Sequence, residues 1–170
     1  VRAGSLPWTI FQRQAVWTVL GMAALVATFM VSVSFWRRFA KWGLLGSIGL
    51  LIAVLIPGVG VTVNGATRWL GAGPLQVQPS EFAKFGLLLF IADLLDRRGD
   101  RIREWRWCLL PVVLYLTLVA GLIMLQPNLG TTIIISFMVL AMLFVSGVPL
   151  LGLSGVTLAG TGIATAFVAF

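Results

Sequence analysis

The second half of the chain contains a long run without charged side chains. From Trp107 to Phe170 there is no Asp, Glu, Lys or Arg. A transmembrane helix needs about 20 mostly apolar residues, so this run alone could cross a bilayer about three times. Long continuous apolar runs, rather than alternating segments of about 10 residues, favour helices over membrane strands. We therefore predict an all-α fold, a polytopic bundle of transmembrane helices.

Uncharged stretches separated by charges and helix breakers predict about six spans. The predicted spans cover residues 14–36, 42–63, 79–95, 107–126, 130–147 and 150–170. The chain begins at Val1 rather than Met and ends within an apolar run. We therefore expect it to be a fragment, one transmembrane domain cut from a larger protein.

The overall composition limits the possible chemistry. Hydrophobic residues make up 59% of the chain and charged residues 10%, which excludes an ordinary soluble domain. A net charge of +7 would suggest nucleic acid in a soluble protein, but these basic residues fall in short loops, where they suit membrane lipid headgroups. There is no histidine and Cys108 is the single cysteine, so we predict neither a disulfide nor a cysteine or histidine metal site.

The positions of the basic residues predict the orientation in the membrane. Two predicted loops, residues 37–41 and 96–106, carry most of the Lys and Arg side chains. Loops rich in Lys and Arg stay in the cytoplasm. The loop of residues 64–78 and the turn at Pro127–Asn128 are then extracytoplasmic.

The segment Asn64–Lys84 is a polar island between apolar spans. It contains Arg68, Glu81 and Lys84, and charges at such positions usually face a binding cavity. A guanidinium and an ammonium suit phosphate oxygens, so Arg68 and Lys84 could hold an amphiphile with an anionic head. Simpler interpretations remain open. Arg68 could anchor the loop at the interface, and Lys84 could neutralise Glu81 three residues away on one helical face.

Two further polar features have structural explanations. The pair Gln78-Pro79 predicts a helix that starts at Pro79, with Gln78 as a weak cap and Glu81 near the positive helix end. Asp93 and Arg97 are four residues apart near the C-terminal end of the same predicted helix, a spacing that suits an ion pair. We assign Asp93 no catalytic role.

Four separate motifs connect the chain to a known family. They are FQRQAVW at Phe11–Trp17, FWRRFAKW at Phe35–Trp42, VNGATRWLGAGPLQVQPSEFAKF at Val63–Phe85 and LQPNLGTT at Leu125–Thr132. In this order they resemble the SEDS family, polytopic enzymes of bacterial cell-wall synthesis. The amino-acid sequence of the loops is more similar to the cell-division branch of the family than to the elongation branch.

This resemblance implies a peptidoglycan glycosyltransferase of about ten spans in the bacterial cytoplasmic membrane, acting at the division septum. Its substrate would be lipid II, a disaccharide-pentapeptide on undecaprenyl diphosphate. Its partners would be a class B penicillin-binding protein, which is a transpeptidase, and other divisome proteins. The candidate substrate-binding residues are Arg68, Lys84, Glu81, Gln78, Asn64 and Asn128.

The chain departs from the family pattern in two respects. The presumed catalytic aspartate lies beyond Phe170, so no catalytic residue can be named and the fragment alone is expected to be inactive. Asn128 stands where many relatives have Asp. We interpret Asn128 as a helix cap, a role that both side chains fill. A divalent cation that neutralises the diphosphate is a further expectation, although no residue points to a metal site.

Two other functions use the same features. A transporter could flip lipid II across the bilayer through the polar cavity without making bonds, and a scaffold could recruit the transpeptidase. A carboxylate opposite Arg68 and Lys84 favours chemistry, whereas paired broken helices in an inverted second half favour transport.

Overall fold

The computed structural model describes residues 7–63, 65–72, 75–99 and 105–148. Within them the chain forms helices α1 (Pro7–Met30), α2 (Val33–Leu55), α3 (Pro79–Arg98), α4 (Leu110–Met124) and α5 (Leu129–Val145). A π-helical turn, Trp105–Leu109, leads into α4, and three short strands precede α3: β1 (Gly60–Val63), β2 (Ala66–Ala72) and β3 (Leu75–Val77). The described chain is thus predominantly helical, as the sequence predicts, with a small sheet in addition.

Two of the described helices are long and apolar enough to cross a membrane. They are α2 and the helix that runs from Trp107 through α4, and residues 14–30 and α5 are shorter apolar helices. The predicted sixth span, residues 150–170, lies outside the described residues. The number of membrane crossings therefore stays a prediction.

The residues up to Trp36 form the first of two compact units. Near the end of α1, the Thr28 hydroxyl donates to the carbonyl oxygens of Ala24 and Leu25, at 2.9 and 2.8 Å. The α1 helix ends at Met30, and the Ser32 carbonyl then accepts the first hydrogen bonds of α2. Helix α1 thus ends before the predicted end of the first span at residue 36, and α2 begins at Val33, while the membrane span itself stays a prediction.

The second unit begins at Arg37, within α2. Arg37, Arg38 and Lys41 are helical residues, so the prediction of a loop over residues 37–41 is wrong. Charge alone suggested a loop there, but Arg and Lys are good helix formers and do not interrupt a helix.

The helix α2 also ends earlier than its predicted span of residues 42–63. It stops at Leu55, a turn at Pro57 and Gly58 follows, and β1 then takes the chain to Val63. Gly58 has a φ of 86°, which glycine adopts at little cost. The turn and the β-branched residues after it convert the end of the predicted span into a strand.

The predicted extracytoplasmic loop, residues 64–78, is largely a sheet. The strand order is β1-β2-β3 and both pairs are antiparallel. The pair β1–β2 joins Val61 to Trp69 and Thr62 to Thr67, with a shift in register between Val61 and Thr62. This hairpin places the side chain of Arg68 on the middle strand.

Helices α3, α4 and α5 pack around a shared apolar core, which the C-terminal part of α2 joins. Its most buried members come from all four helices; they include Leu51, Leu87, Ile91, Val112, Val119, Ile123 and Ile135. Small residues bring α2 and α3 close together: a Cβ atom at Gly86 would lie 3.1 Å from the Gly43 carbonyl oxygen and 3.2 Å from Ser47 Oγ. Such close backbone approach is typical of helix packing in membranes.

Ion pairs join α2 to the C-terminal end of α3. Arg97 Nε lies 2.8 Å from Asp93 Oδ2, which confirms the predicted pair, and Arg37 Nε lies 3.2 Å from Asp93 Oδ1. Arg37 also reaches Asp96, with 2.6 Å between Nη2 and Oδ2. The hydrogen bond from Arg97 to Asp93 raises the pKa of Arg97, so this guanidinium stays charged. These carboxylates are therefore used to hold two helices together.

Candidate functional site

The N-terminal turn of α3 is built as the sequence predicts. Gln78 is the extended residue before the helix, it makes no side-chain cap bond, and Pro79 follows in the first turn. Glu81 falls in the same turn, where a carboxylate interacts favourably with the positive end of the helix. Its Oε2 atom lies 2.7 Å from Lys84 Nζ. The proposed neutralising pair on one helical face is thus present.

Lys84 is the more enclosed partner of this pair. Its side chain is 21% exposed, against 53% for Glu81. Lys84 lies beside apolar side chains of α3 and α5, including Leu87, Ile135 and Val139. A lysine ammonium carries three donors, so the bond to Glu81 leaves donors available to a further acceptor. Because α3 packs on α5, this cation is held at the junction of two rigid helices.

Arg68 connects the sheet to the junction between α4 and α5. Its Nε donates to the Gln126 carbonyl oxygen at 3.0 Å, and its Nη2 donates to the Pro127 carbonyl oxygen. These carbonyls lie after the end of α4, where helical partners are missing. Arg68 is therefore a structural clamp on this turn, and its guanidinium keeps N–H groups beyond these two for another ligand.

Gln126 is a site residue that the sequence analysis missed. Its side chain is buried, with 1% exposure, and Nε2 donates to the Leu51 carbonyl oxygen at 3.4 Å. Its Oε1 atom has no hydrogen-bond partner among the described residues. The available signal was a polar side chain in an uncharged run directly before Pro127, because a buried amide there must find partners.

Asn128 caps α5. Its Oδ1 accepts from the Thr131 amide at 3.4 Å, and its carbonyl oxygen accepts from Thr132 N and Oγ1 at 3.2 and 3.1 Å. This geometry confirms the predicted cap. Nδ2 of Asn128 and Oγ of Ser80 are buried without a partner in the described part of the chain. Whether Asn128 also binds substrate stays a prediction.

The structure distributes the predicted site residues over three elements. Arg68 lies on β2, Glu81 and Lys84 lie on α3, and Asn64 lies outside the described residues. Strand β2 contacts α3, which in turn contacts α5. In the described part of the chain, Arg68 and Lys84 share no hydrogen-bonding partner. The two cations thus belong to neighbouring elements, and their action on one ligand stays a prediction.

The described carboxylates do not supply a catalytic base beside these cations. Asp93 and Asp96 lie about 18 Å or more along α3 from Glu81, at 1.5 Å per residue, and both pair with Arg37. Glu81 is engaged with Lys84. Within the described ranges, no group of three Asp, Glu, His or Cys side chains could hold a metal ion. This part of the chain offers groups that bind and orient an anion.

A family profile matches the chain over its full length. The profile of FtsW, RodA and SpoVE, described as cell cycle protein, covers residues 1–170.

Curated relatives carry the name probable peptidoglycan glycosyltransferase FtsW. The protein of Pseudomonas fluorescens is 40% identical over 139 residues, covering 81% of this chain and 34% of that relative. The protein of Allochromatium vinosum is 42% identical over 134 residues, covering 78% and 34%. The chain spans about a third of the length of these relatives.

Solved structures show the same fold. The rod shape determining protein RodA of Thermus thermophilus is 38% identical, with a TM-score of 0.71 over 87% of this chain and 49% of that chain. A second solved chain is 35% identical to this one. It comes from a peptidoglycan synthase complex described as coordinating polymerization and crosslinking. Its TM-score is 0.75 over 93% of this chain and 47% of that chain.

Proposed function

The chain belongs to the FtsW/RodA/SpoVE family of cell cycle proteins, and from this we propose that the full-length protein is a peptidoglycan glycosyltransferase. It is a membrane protein, with two helices of membrane length in the described residues. The observation that carries the proposal is the similarity to relatives named as peptidoglycan glycosyltransferases, which extends over about four fifths of the chain. The substrate is lipid II, polymerised into glycan strands for the septal wall in the bacterial cytoplasmic membrane.

The described residues contribute the recognition of the donor diphosphate. Lys84 and Arg68 each keep donors beyond the bonds they make, and Glu81 positions Lys84. In the reaction, an acceptor hydroxyl attacks the anomeric carbon of the donor, and the bond from that carbon to the diphosphate breaks. The diphosphate leaves with the bonding electrons. The two cations stabilise the negative charge that develops on it.

The proton of the acceptor hydroxyl goes to a carboxylate outside residues 1–170. General-base catalysis of this kind requires a carboxylate within hydrogen-bond reach of the hydroxyl. In the described ranges no group of three Asp, Glu, His or Cys side chains could hold a metal ion, and a divalent cation at the diphosphate stays a prediction. The transpeptidase partner is a class B penicillin-binding protein, in keeping with a structural relative from a peptidoglycan synthase complex that coordinates polymerization and crosslinking.

The test is lipid II polymerisation by the purified full-length protein with its class B partner, measured as glycan chain length on a gel. Lys84→Ala and Arg68→Ala should reduce polymer strongly. Arg38→Ala and Lys41→Ala are matched controls, because these exposed cations lie on α2. A thermal unfolding curve for each variant separates lost chemistry from lost folding, which matters most for the clamp residue Arg68.

Wild-type polymerisation in both Lys84→Ala and Arg68→Ala would remove these residues from the mechanism. If the wild-type protein made no polymer where a known polymerase works, the flippase or the scaffold would replace the glycosyltransferase. Lipid II transfer across vesicles would then distinguish those two.

A further inference from the structure

A cavity lies beneath the β1–β2 hairpin, separate from the Glu81–Lys84 pair. Its volume is about 470 Å³, and its walls come from the end of α2, the turn after it, the hairpin and residues 125–127. Cavities of about 300–1,000 Å³ hold small organic ligands. This space is therefore large enough for a ring-sized group.

The walls of the cavity are polar but uncharged. Thr62 and Thr67, which pair across the two strands, both line it, and their hydroxyl oxygens lie 2.8 Å apart. One hydroxyl hydrogen bridges the two oxygens, so the other remains free to donate. None of the described residues that line the cavity carries a charge. Such walls favour a neutral ligand with several hydrogen-bonding groups.

Gln126, a residue of the same wall, carries a buried acceptor atom that is unpaired in the described part of the chain. It lines the cavity, is 1% exposed, and its Oε1 lacks a partner among the described residues. Leaving a buried carbonyl oxygen without a hydrogen bond is unfavourable, so a donor is expected to occupy this position. A sugar hydroxyl or amide N–H would satisfy it.

The cavity adjoins the Arg68 clamp. Gln126 and Pro127, whose carbonyl oxygens accept from Arg68, both line the cavity. A diphosphate bound by the remaining N–H groups of Arg68 would therefore leave its attached sugar next to the cavity mouth. The arrangement matches a molecule that joins an anionic group to a neutral sugar.

We propose that this cavity is a subsite for a sugar ring of the lipid-linked substrate. Gln126 Oε1 accepts from the ring substituents, and the Thr62–Thr67 pair donates to a ring or hydroxyl oxygen. This inference rests on the proposed function, because it is that function which makes a sugar-bearing diphosphate the ligand.

The test uses the full-length protein in nanodiscs and N-acetylglucosamine as the probe, measured by saturation-transfer NMR. Thr62→Val and Thr67→Val remove one hydroxyl each at nearly constant volume. Thr28→Val is the matched control, because Thr28 lies exposed on α1. The saturation-transfer signal should fall about two- to tenfold in the first two variants, as expected for one hydrogen bond, and stay unchanged in the control.

Kinetics provide a second measurement on the same variants. With the lipid-linked substrate, Thr62→Val and Thr67→Val should raise KM about two- to tenfold while kcat stays within about twofold. Gln126→Leu should have the larger effect, because it removes both the Oε1 acceptor and the donor to the Leu51 carbonyl oxygen. Gln126→Glu keeps an acceptor oxygen and loses only the Nε2 donor, so it separates the two contributions.

The outcomes separate this subsite from the proposed function. If wild type is active and both threonine variants bind sugar and polymerise as well as Thr28→Val does, the sugar subsite is overturned and the proposed glycosyltransferase stands. The cavity then holds water only. Sugar binding that depends on Thr67 in a protein without polymerase activity overturns the proposed function and keeps a sugar site. No sugar signal in wild type above empty nanodiscs also overturns the subsite.

Discussion

Replacing Arg68 by Met should loosen the turn between α4 and α5. Arg68 donates to the carbonyl oxygens of Gln126 and Pro127, so the substitution leaves two carbonyls without these partners. Hydrogen bonds from a charged donor contribute about 1.5–3 kcal/mol each. Because Arg68 is half-buried and water can replace part of each bond, we expect a net loss of about 2 kcal/mol.

Hydrogen exchange at the start of α5 measures this loss directly. The amides of Thr131 and Thr132 bond to Asn128, immediately after the clamped turn. A loss of about 2 kcal/mol in the local opening free energy corresponds to about 30-fold faster exchange at these amides. The measurement is amide exchange by mass spectrometry on the full-length protein in nanodiscs.

Two further variants test whether faster exchange comes from losing the Arg68 hydrogen bonds. Arg68→Lys should give an intermediate rate, because an ammonium lacks the planar fork that reaches two carbonyls. Arg38→Met removes an exposed arginine of α2 and should leave exchange at Thr131 unchanged. If Arg68→Met exchanged within about twofold of wild type, the clamp would contribute nothing and the reasoning would be refuted.

Two other substitutions test the packing and the cap. Gly86→Leu should lower the free energy of unfolding of the detergent-solubilised protein by about 1–3 kcal/mol, because the new side chain meets the Gly43 carbonyl. Gly49→Leu is the control, since there is open space at its Cβ position, and it should leave the melting curve unchanged. Equal melting curves for the two variants would contradict the close approach of α2 and α3. Asn128→Ala should lower the stability of α5 by about 1 kcal/mol and speed hydrogen exchange at the Thr131 amide. Asn128→Asp keeps the capping oxygen and should exchange at the wild-type rate. Equal exchange in wild type and both variants would exclude the cap.

Features that depend on neighbours within one helix could be predicted well. The start of α3 at Pro79, the Glu81–Lys84 pair and the Asp93–Arg97 pair all follow from spacings of three or four residues on one helical face. The cap at Asn128 follows from the same local rules. In each case the partner lies within one helical turn, so no knowledge of packing was needed.

The helix ends near the basic residues were harder to place. The basic residues Arg37, Arg38 and Lys41 predict a loop if charge marks the end of a helix, whereas the break comes at Ser32. Hydropathy extends the predicted span to Val63, whereas α2 ends at Leu55. A helix can continue through charged residues at a membrane surface, so hydropathy marks the apolar part of a helix rather than its hydrogen-bonded ends.

The contacts of the candidate site depend on the packing of distant elements. Arg68 bonds to Gln126, 58 positions along the chain, and Gln126 bonds to Leu51 across 75 positions. Composition and spacing identified Arg68 as a costly charge that needs a partner, but they could not name the carbonyls it binds. Helical periodicity relates residues within a turn or two, whereas these bonds depend on the register of the hairpin and on where α4 ends against it.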